Sequence, residues 1–198
     1  MDSFGGFGAT SEVEVDLLTD SYRISGVVET RFGRATDILN QQSSTHLPVL
    51  RATISEHADP SATVSAPSAL VAISSILLLA APTLTGEASA DLRIQKRPVR
   101  VQLAIPPLRV TGIIHILPGG RPTDGILNMT DPFLTMTDAT IGSGAYPELA
   151  RSVGAVAVRR DRAQVVLVTD DEQADELLAD VLDERTAESW LRPGDAQG

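Results

Sequence analysis

The sequence contains a long internal repeat. Residues 32–40 read FGRATDILN and residues 119–128 read GGRPTDGILN, so Gly-Arg-x-Thr-Asp and then Ile-Leu-Asn occur twice. Residues 14–54 align with residues 100–141 if two small insertions and one deletion are allowed. The alignment pairs Val15 with Val101, Leu17 with Leu103, Arg23 with Arg109, Gly26 with Gly112, Gly33 with Gly119, Asn40 with Asn128, and Ala52 with Ala139. Such self-similarity predicts a duplicated structural unit.

Within each repeat, hydrophobic residues alternate with polar ones. Residues 13–17 alternate apolar and acidic side chains, and residues 99–103 alternate apolar and polar ones. A period of two predicts half-buried β-strands. The second strand of each repeat has a glycine at the inward phase, Gly26 and Gly112, which predicts a sharp bend or the close approach of another backbone.

The third strand of each repeat changes its hydrophobic phase part-way along. In residues 47–54 the change falls between Val49 and Ala52, and residues 134–141 repeat it. One extra residue in a strand reverses the faces of all residues that follow it. A phase change at the same place in both repeats therefore predicts a β-bulge.

We predict a mainly β fold with two tandem units of five short strands. Each unit is expected to end in a hairpin, at residues 71–79 and 155–168. Five strands with a bent second member favour a small closed or nearly closed barrel, which hides its sheet edges. The predicted divisions are a flexible tail at 1–12, barrels at 13–83 and 99–169, a linker at 84–98, an acidic amphipathic helix at 170–192 and a flexible tail at 193–198.

The order of these features resembles the Sm-like small β-barrels. That family carries Gly-x-hydrophobic and then Asp-x-x-hydrophobic-Asn, and residues 112–128 contain both parts, with Asp124 and Asn128 in the second. Residues 26–40 contain the same parts with one residue fewer. The resemblance implies tandem five-stranded SH3/Sm-like barrels and, as an alternative function, single-stranded RNA binding. The Arg-x-x-Asp-hydrophobic-Leu-Asn pattern also resembles uncharacterised bacterial proteins, which implies no activity.

The composition limits the partners. A formal net charge of −10 disfavours non-specific attraction to nucleic acid or to an anionic membrane. The chain has no cysteine, which excludes disulfides and thiolate metal sites. Its most apolar stretch, residues 69–81, is shorter than the roughly 20 residues that span a bilayer, so it predicts a buried element of a soluble fold. The first residues do not resemble a secretion signal, and we expect a cytoplasmic protein without a membrane partner.

The repeated motif has two interpretations. A capping Thr, an acid in the first turn, two inward apolar residues and an Asn at the exit suit one helical turn that plugs a barrel, with Thr36 and Thr123 as the caps. This structural interpretation explains why the motif occurs once in each unit. In the functional interpretation, the polar residues line two equivalent ligand sites, formed by Arg34, Asp37, Asn40, Arg121, Asp124 and Asn128.

The strongest basic patch is the RRDR segment, which contains Arg159, Arg160 and Arg162. Surfaces that bind single-stranded nucleic acid usually combine such charge with aromatic side chains on which bases stack. No aromatic residue lies near this segment in the sequence. We interpret it as a solvated hairpin tip or a partner for the acidic C-terminal segment, with RNA binding as the alternative.

Signatures of catalysis and metal binding are weak. His46, His57 and His115 are scattered, and the acidic residues around His57 in the EHAD segment are not by themselves a metal site. Gly-Ser-Gly at residues 142–144 lacks the strand-turn-helix context of a hydrolase nucleophile. The sequence has no phosphate-binding loop of the Gly-Lys-Ser type. We predict no catalytic residues, no metal and no cofactor.

A duplicated unit presents two similar surfaces, and such surfaces suit self-association or a symmetric partner. We therefore predict a non-catalytic scaffold or protein-interaction module whose partner is the chain itself or another protein. Sm-like binding of single-stranded RNA is the alternative.

Overall fold

The computed structural model describes residues 10–82, 96–119 and 121–168. In these ranges the chain is mainly β, as predicted. The first repeat contributes β1 (Ser11–Leu18), β2 (Tyr22–Thr30), α1 (Ala35–Asn40), β3 (His46–Glu56), β4 (Thr63–Ala72) and β5 (Leu78–Ala80). The second contributes β6 (Arg97–Ile105), β7 (Leu108–Ile116), α2 (Pro122–Leu127), β8 (Phe133–Gly142), β9 (Arg151–Arg159) and β10 (Val165–Val168).

All ten strands lie in one antiparallel sheet with the order β10-β6-β7-β8-β9-β5-β1-β2-β3-β4. Each repeat has the same internal order, in which its last strand pairs with its first. The two repeats meet where β5 pairs with β9, and we call this pairing the junction. The expectation of two separately closed barrels is not what the structure shows, because the strands form a single open sheet.

The predicted closing hairpins are wrong in both repeats. A one-turn 3-10 helix at Ile73–Ser75 follows β4, and a second one at Arg160–Arg162 follows β9. Each turn directs the chain across the core, so that β5 pairs with β1, and β10 pairs with β6. The backbone N–H of Leu77 already donates to the carbonyl of Leu18 at 2.8 Å as the chain enters β5. The strands before these turns, β4 and β9, therefore each keep one side free for a strand other than the one that follows in the chain.

The predicted bulges are confirmed. The pairing of β2 with β3 shifts between Ser25 and Val27, and the pairing of β7 with β8 shifts at the equivalent place. Arg51 and Asp138 take the extra position in the two strands, and both have φ of 50°. Gly26 lies opposite the first bulge, where an added Cβ would come within 2.7 Å of the carbonyl oxygen of Leu50. The glycine therefore permits the close backbone approach that the bulge requires.

Two hydrophobic cores share the junction. The core of the first repeat also contains Phe133 and Ala157 from the second. The core of the second repeat contains Leu77 and Leu78 from the first, whereas Leu79 belongs to the core of the first. Successive residues of a strand point to opposite faces, so β5 supplies both cores. Each core is thus completed by side chains from the other repeat.

Several predicted segments lie outside the described residues. These are the acidic helix at 170–192, the tail at 193–198 and most of the linker at 84–98. The first strand begins at Ser11, inside the segment predicted as a flexible N-terminal tail. Within the described ranges, every helix is too short or too polar to cross a membrane.

Candidate functional site

Helix α1 lies at the junction and contacts the second repeat. The side-chain amide of Asn40 donates to the backbone carbonyl of Phe133, and its oxygen accepts from the backbone N–H of Phe133, both at 3.0 Å. The hydroxyls of Thr36 and Thr135 lie 3.1 Å apart within hydrogen-bonding geometry. Asn40 thus satisfies both backbone polar groups at the start of β8. Its observed role is to join the two repeats.

Helix α2 repeats the sequence of α1 in different surroundings. Ile126 is buried like its counterpart Ile38, and α2 packs against β7. Leu127, however, is 76% exposed, whereas the equivalent Leu39 is 4% exposed. Asn128 is also exposed. The surface that α1 presents to the second repeat is therefore open to solvent on α2.

The predicted threonine caps are wrong. Arg34 and Arg121 occupy the N-cap positions, and neither makes a side-chain capping hydrogen bond. In the first repeat the Thr36 hydroxyl is engaged with Thr135, and in the second Pro122 opens the helix with a fixed φ that suits its first turn. Asp37 and Asp124 lie in the first turns as predicted.

The six residues predicted as ligand contacts lie within or directly beside α1 and α2, which pack against different strands. Those of α1 stand beside β8 and β9, with Asn40 bound to the second repeat. Those of α2 stand at the other side of the second repeat, beside β7. Arg34 and Arg121 are exposed. The two copies of the motif therefore have different surroundings.

The RRDR arginines bind groups of the chain itself. Arg159 pairs with Asp161 at 2.7 Å and donates to the carbonyl of Ile73, also at 2.7 Å. Arg160 donates to the backbone carbonyl of Met129. Arg162 pairs with Asp20 at 2.9 Å, which links the second repeat to the first. These contacts give the arginines a structural role around the junction.

A second ion-pair cluster crosses the junction at Asp16. Its carboxylate binds Arg23 at 3.0 Å on the neighbouring strand and Arg151 at 2.9 Å on β9. Burial lowers the pKa of the Arg151 guanidinium, the charge of Asp16 opposes that shift, and the charge of Arg23 adds to it. The carboxylate between two guanidinium groups holds the start of β9 against the first repeat.

His57 is a buried structural residue. Its Nε2 lies 3.0 Å from the backbone carbonyl of Thr19, to which it donates. Its ring packs against Tyr146 of the second repeat, with 5.3 Å between ring centroids. Within the described ranges, no three His, Asp or Glu side chains are grouped so that they could hold a metal ion.

The two outer strands of the sheet, β4 and β10, carry exposed apolar side chains, and we call them the free edges. Neither has a second neighbouring strand among the described residues. Leu70 on β4 is 72% exposed, and Val165, Val166 and Leu167 on β10 are 44%, 40% and 42% exposed. A groove of about 490 Å³ lies beside β4, lined by residues that include Tyr22, Ile24, Ile54, Leu70 and Val71.

The free edges differ from the sequence-based prediction, in which residues 71–79 and 155–168 form closing hairpins. One signal was present: Val165–Val168 is a continuous apolar run without alternation, as is Ile76–Ala81. Such a run is typical of a strand that is covered on both faces. In the first run Val165, Val166 and Leu167 are exposed, whereas the second run is buried at the junction.

Comparisons with protein-family models, curated proteins and solved structures gave no significant match to this chain. The functional argument therefore depends on the geometry of the junction and of the free edges.

Proposed function

We propose that this chain is a non-catalytic scaffold, or protein-interaction module, built from a duplicated small β unit of the Sm-like or SH3-like type. The strand order within each repeat supports the kinship of the two units, since last-to-first pairing recurs in both. The scaffold role is supported by one observation above all. Among the described residues, neither outer strand of the sheet has a second neighbour, and both bear exposed apolar side chains.

Open apolar edges are unusual in a protein that acts alone. An edge strand presents unpaired N–H and C=O groups, and natural proteins usually protect it with charges, prolines or a covering element. Pro67 protects part of β4, but residues 69–71 beyond it are Ala-Leu-Val. Strand β10 reads Val-Val-Leu-Val. These strands are suited to accept a strand from a partner protein, with main-chain hydrogen bonds and apolar contacts together.

The proposal is tested by blocking both edges. In the double variant Leu70→Lys/Val166→Lys, a charge replaces an exposed apolar side chain on each edge, so the fold should persist while binding is lost. Light scattering and quantitative pull-down should show assembly or partner retention by the wild type and neither by the double variant. Val64→Lys, at a position 63% exposed on β4 but distant from residues 69–71, is the matched control. Equal behaviour of wild type and double variant in both measurements would reject the proposal.

RNA binding has less support. The arginines that would contact phosphates are held by Asp161, Asp20 and backbone carbonyls, and the formal charge of the chain is −10. Filter binding to short single-stranded RNA at low salt should give no retention. Retention at micromolar protein that falls steeply with salt would favour the RNA alternative instead.

A further inference from the structure

We propose that the partner at the free edges is a second molecule of the same chain. In this arrangement β10 of one molecule pairs antiparallel with β4 of the next and reproduces the β5–β9 junction between molecules. The inference rests on the proposed interaction function and names its partner and register. It follows from the repeat, because the junction inside the chain already shows how one repeat binds the other.

The register follows from structural equivalence. At the junction Leu78, Leu79 and Ala80 stand opposite Val158, Ala157 and Val156. Equivalent residues are identified from the strands beside them. Leu47 pairs with Val71 and its equivalent Leu134 pairs with Val158, so Val71 corresponds to Val158. Leu18 pairs with Leu78 and its equivalent Ala104 pairs with Val165, so Leu78 corresponds to Val165. Transfer of the junction to the free edges therefore places Val165 opposite Val71, Val166 opposite Leu70, and Leu167 opposite Ala69.

The residues at these positions have the chemistry of the junction. All six are apolar, as are the six at the junction. At the junction Leu78, Leu79 and Ala80 are at most 5% exposed, whereas their equivalents on β10 are at least 40% exposed. Removal of apolar surface from water is favourable. The exposed residues therefore favour a partner that covers them as β9 covers β5.

The groove beside β4 has an equivalent that is filled at the junction. Its lining residues Ile24, Ile54 and Val71 correspond to Val110, Ile141 and Val158, which share a core cluster with Leu77 and Leu78. The first repeat lacks side chains from a preceding repeat at this place. In the proposed assembly Val165 of a second molecule enters the groove, because Val165 is the equivalent of Leu78.

Helix α2 would complete the contact as α1 does at the junction. Leu127 and Asn128 are the exposed equivalents of Leu39 and Asn40. Asn40 binds the backbone of Phe133, and the equivalent of Phe133 on the first repeat is His46, at the start of β3. In the assembly the Asn128 side chain therefore donates to the carbonyl of His46 in the second molecule. The donor surface formed by α2 and β10 and the acceptor surface formed by β3 and β4 lie at opposite ends of the strand order.

This contact is head-to-tail, because each molecule uses different surfaces toward its two neighbours. Such interfaces produce closed rings or open filaments, according to the rotation between successive molecules. The ion pairs of the junction are not repeated. Pro106 and Ser75 occupy the positions equivalent to Asp20 and Arg162, and Gln102 and Val64 occupy those equivalent to Asp16 and Arg151. The association should therefore be weaker than the junction, depend on protein concentration and change little with salt.

Two singly blocked variants test the head-to-tail arrangement. Leu70→Lys blocks β4 and leaves β10 free, and Val166→Lys blocks β10 and leaves β4 free. Wild-type protein should form species larger than the monomer by light scattering, each variant alone should be monomeric, and an equimolar mixture should form one-to-one dimers through the two unblocked edges. Thermal unfolding at low concentration tests whether each variant is folded. Val64→Lys should assemble like the wild type, because the equivalent position at the junction holds a cation, Arg151.

Other outcomes would overturn the inference. A wild-type chain that remains monomeric, or a Val166→Lys variant that still assembles, would exclude β10 as the donor strand. An equimolar mixture of Leu70→Lys and Val166→Lys that stays monomeric would also exclude the pairing of β10 with β4. If the wild type is monomeric but retains another protein that the double-blocked variant loses, the interaction function stands and the partner is not a second copy. If neither is seen, the proposed function fails as well.

The register is tested by disulfide formation, for which the absence of native cysteine gives a clean background. Ala69→Cys and Leu167→Cys molecules are mixed and oxidised. Directly opposed residues have Cβ atoms about 4.5–5.5 Å apart, which permits a disulfide after small shifts. Val64→Cys is the matched control, because it lies five residues from Ala69 on the same strand, or roughly 17 Å at the usual rise. Equal or faster crosslinking of the control pair would overturn the register.

Discussion

Helices α1 and α2 have nearly the same sequence and opposite surroundings. Leu39 is buried against the second repeat, and Leu127 faces solvent; Asn40 is bound to the backbone of Phe133, and Asn128 is exposed. The difference does not come from the motif itself. It comes from position in the sheet, because the first repeat has a neighbour on its α1 side and the second repeat has none among the described residues.

The same motif therefore contacts a neighbouring repeat in α1 and leaves the equivalent surface exposed in α2. The plug interpretation accounts for Ile38 and Ile126, which are buried in both repeats. The remaining residues of the motif bind a neighbouring repeat where one is present. The predictions below measure this difference, with stability determined by urea unfolding at protein concentrations where the chain is monomeric.

The largest difference is expected for the leucines. Leu39→Ala removes a buried side chain and leaves a cavity at the junction, so it should lower the free energy of unfolding by about 2–5 kcal/mol. Leu127→Ala removes an exposed side chain and should change it by about 0.5 kcal/mol or less. Equal losses for the two variants would mean that α1 and α2 have similar surroundings in solution, contrary to the structure.

The bulge glycines should behave alike, since both repeats need the same close approach. A Cβ at Gly26 would lie 2.6 Å from Cγ1 of Val49, and one at Gly112 would lie 2.9 Å from the carbonyl oxygen of Thr137. Each Gly→Ala variant should lose about 1–3 kcal/mol through overpacking and backbone shifts. Gly154→Ala is the control, because nothing lies within 4 Å of its Cβ position. A harmless Gly112→Ala would show that the second bulge differs from the first.

Much of this architecture could be predicted from local sequence, and the rest depends on contacts between distant residues. Strand periodicity predicts β1 and β6, and the phase change in residues 47–54 and 134–141 predicts both bulges. These features depend on residues within one strand or its immediate neighbour. The closing hairpins were wrong because a short turn after an apolar strand does not indicate whether the next strand pairs with it or crosses to another.

The role of α1 could not be read from its own residues. Asn40 and Phe133 are 93 positions apart, and nothing in the motif identifies the partner. The fully apolar runs Ile76–Ala81 and Val165–Val168 are the available signal for strands that are covered on both faces. The hairpin interpretation pairs each run with the strand before it, whereas β5 pairs with β1 and β9, and β10 pairs with β6.

The asparagines give a smaller difference than the leucines. Asn40→Ala leaves the N–H and C=O of Phe133 without their side-chain partner, so it should lower the free energy of unfolding by about 1–3 kcal/mol. Asn128→Ala should have an effect of about 0.5 kcal/mol or less in the monomer. In contrast, Asn128→Ala should weaken assembly at high concentration, measured by sedimentation. A stability loss for Asn128→Ala that matches Asn40→Ala would contradict the assigned difference.

The smallest effect is expected for the ion pair between Asp20 and Arg162, which has no counterpart at the free edges. Both side chains are more than one third exposed, so water and salt screen their attraction. A double-mutant cycle with Asp20→Asn and Arg162→Gln should give a coupling energy of about 0.2–1 kcal/mol that decreases as salt is added. A coupling well above this range and insensitive to salt would mean that charge pairs hold the junction together. The free edges, which lack this pair, would then be poor copies of the junction, and apolar burial alone would not suffice for assembly.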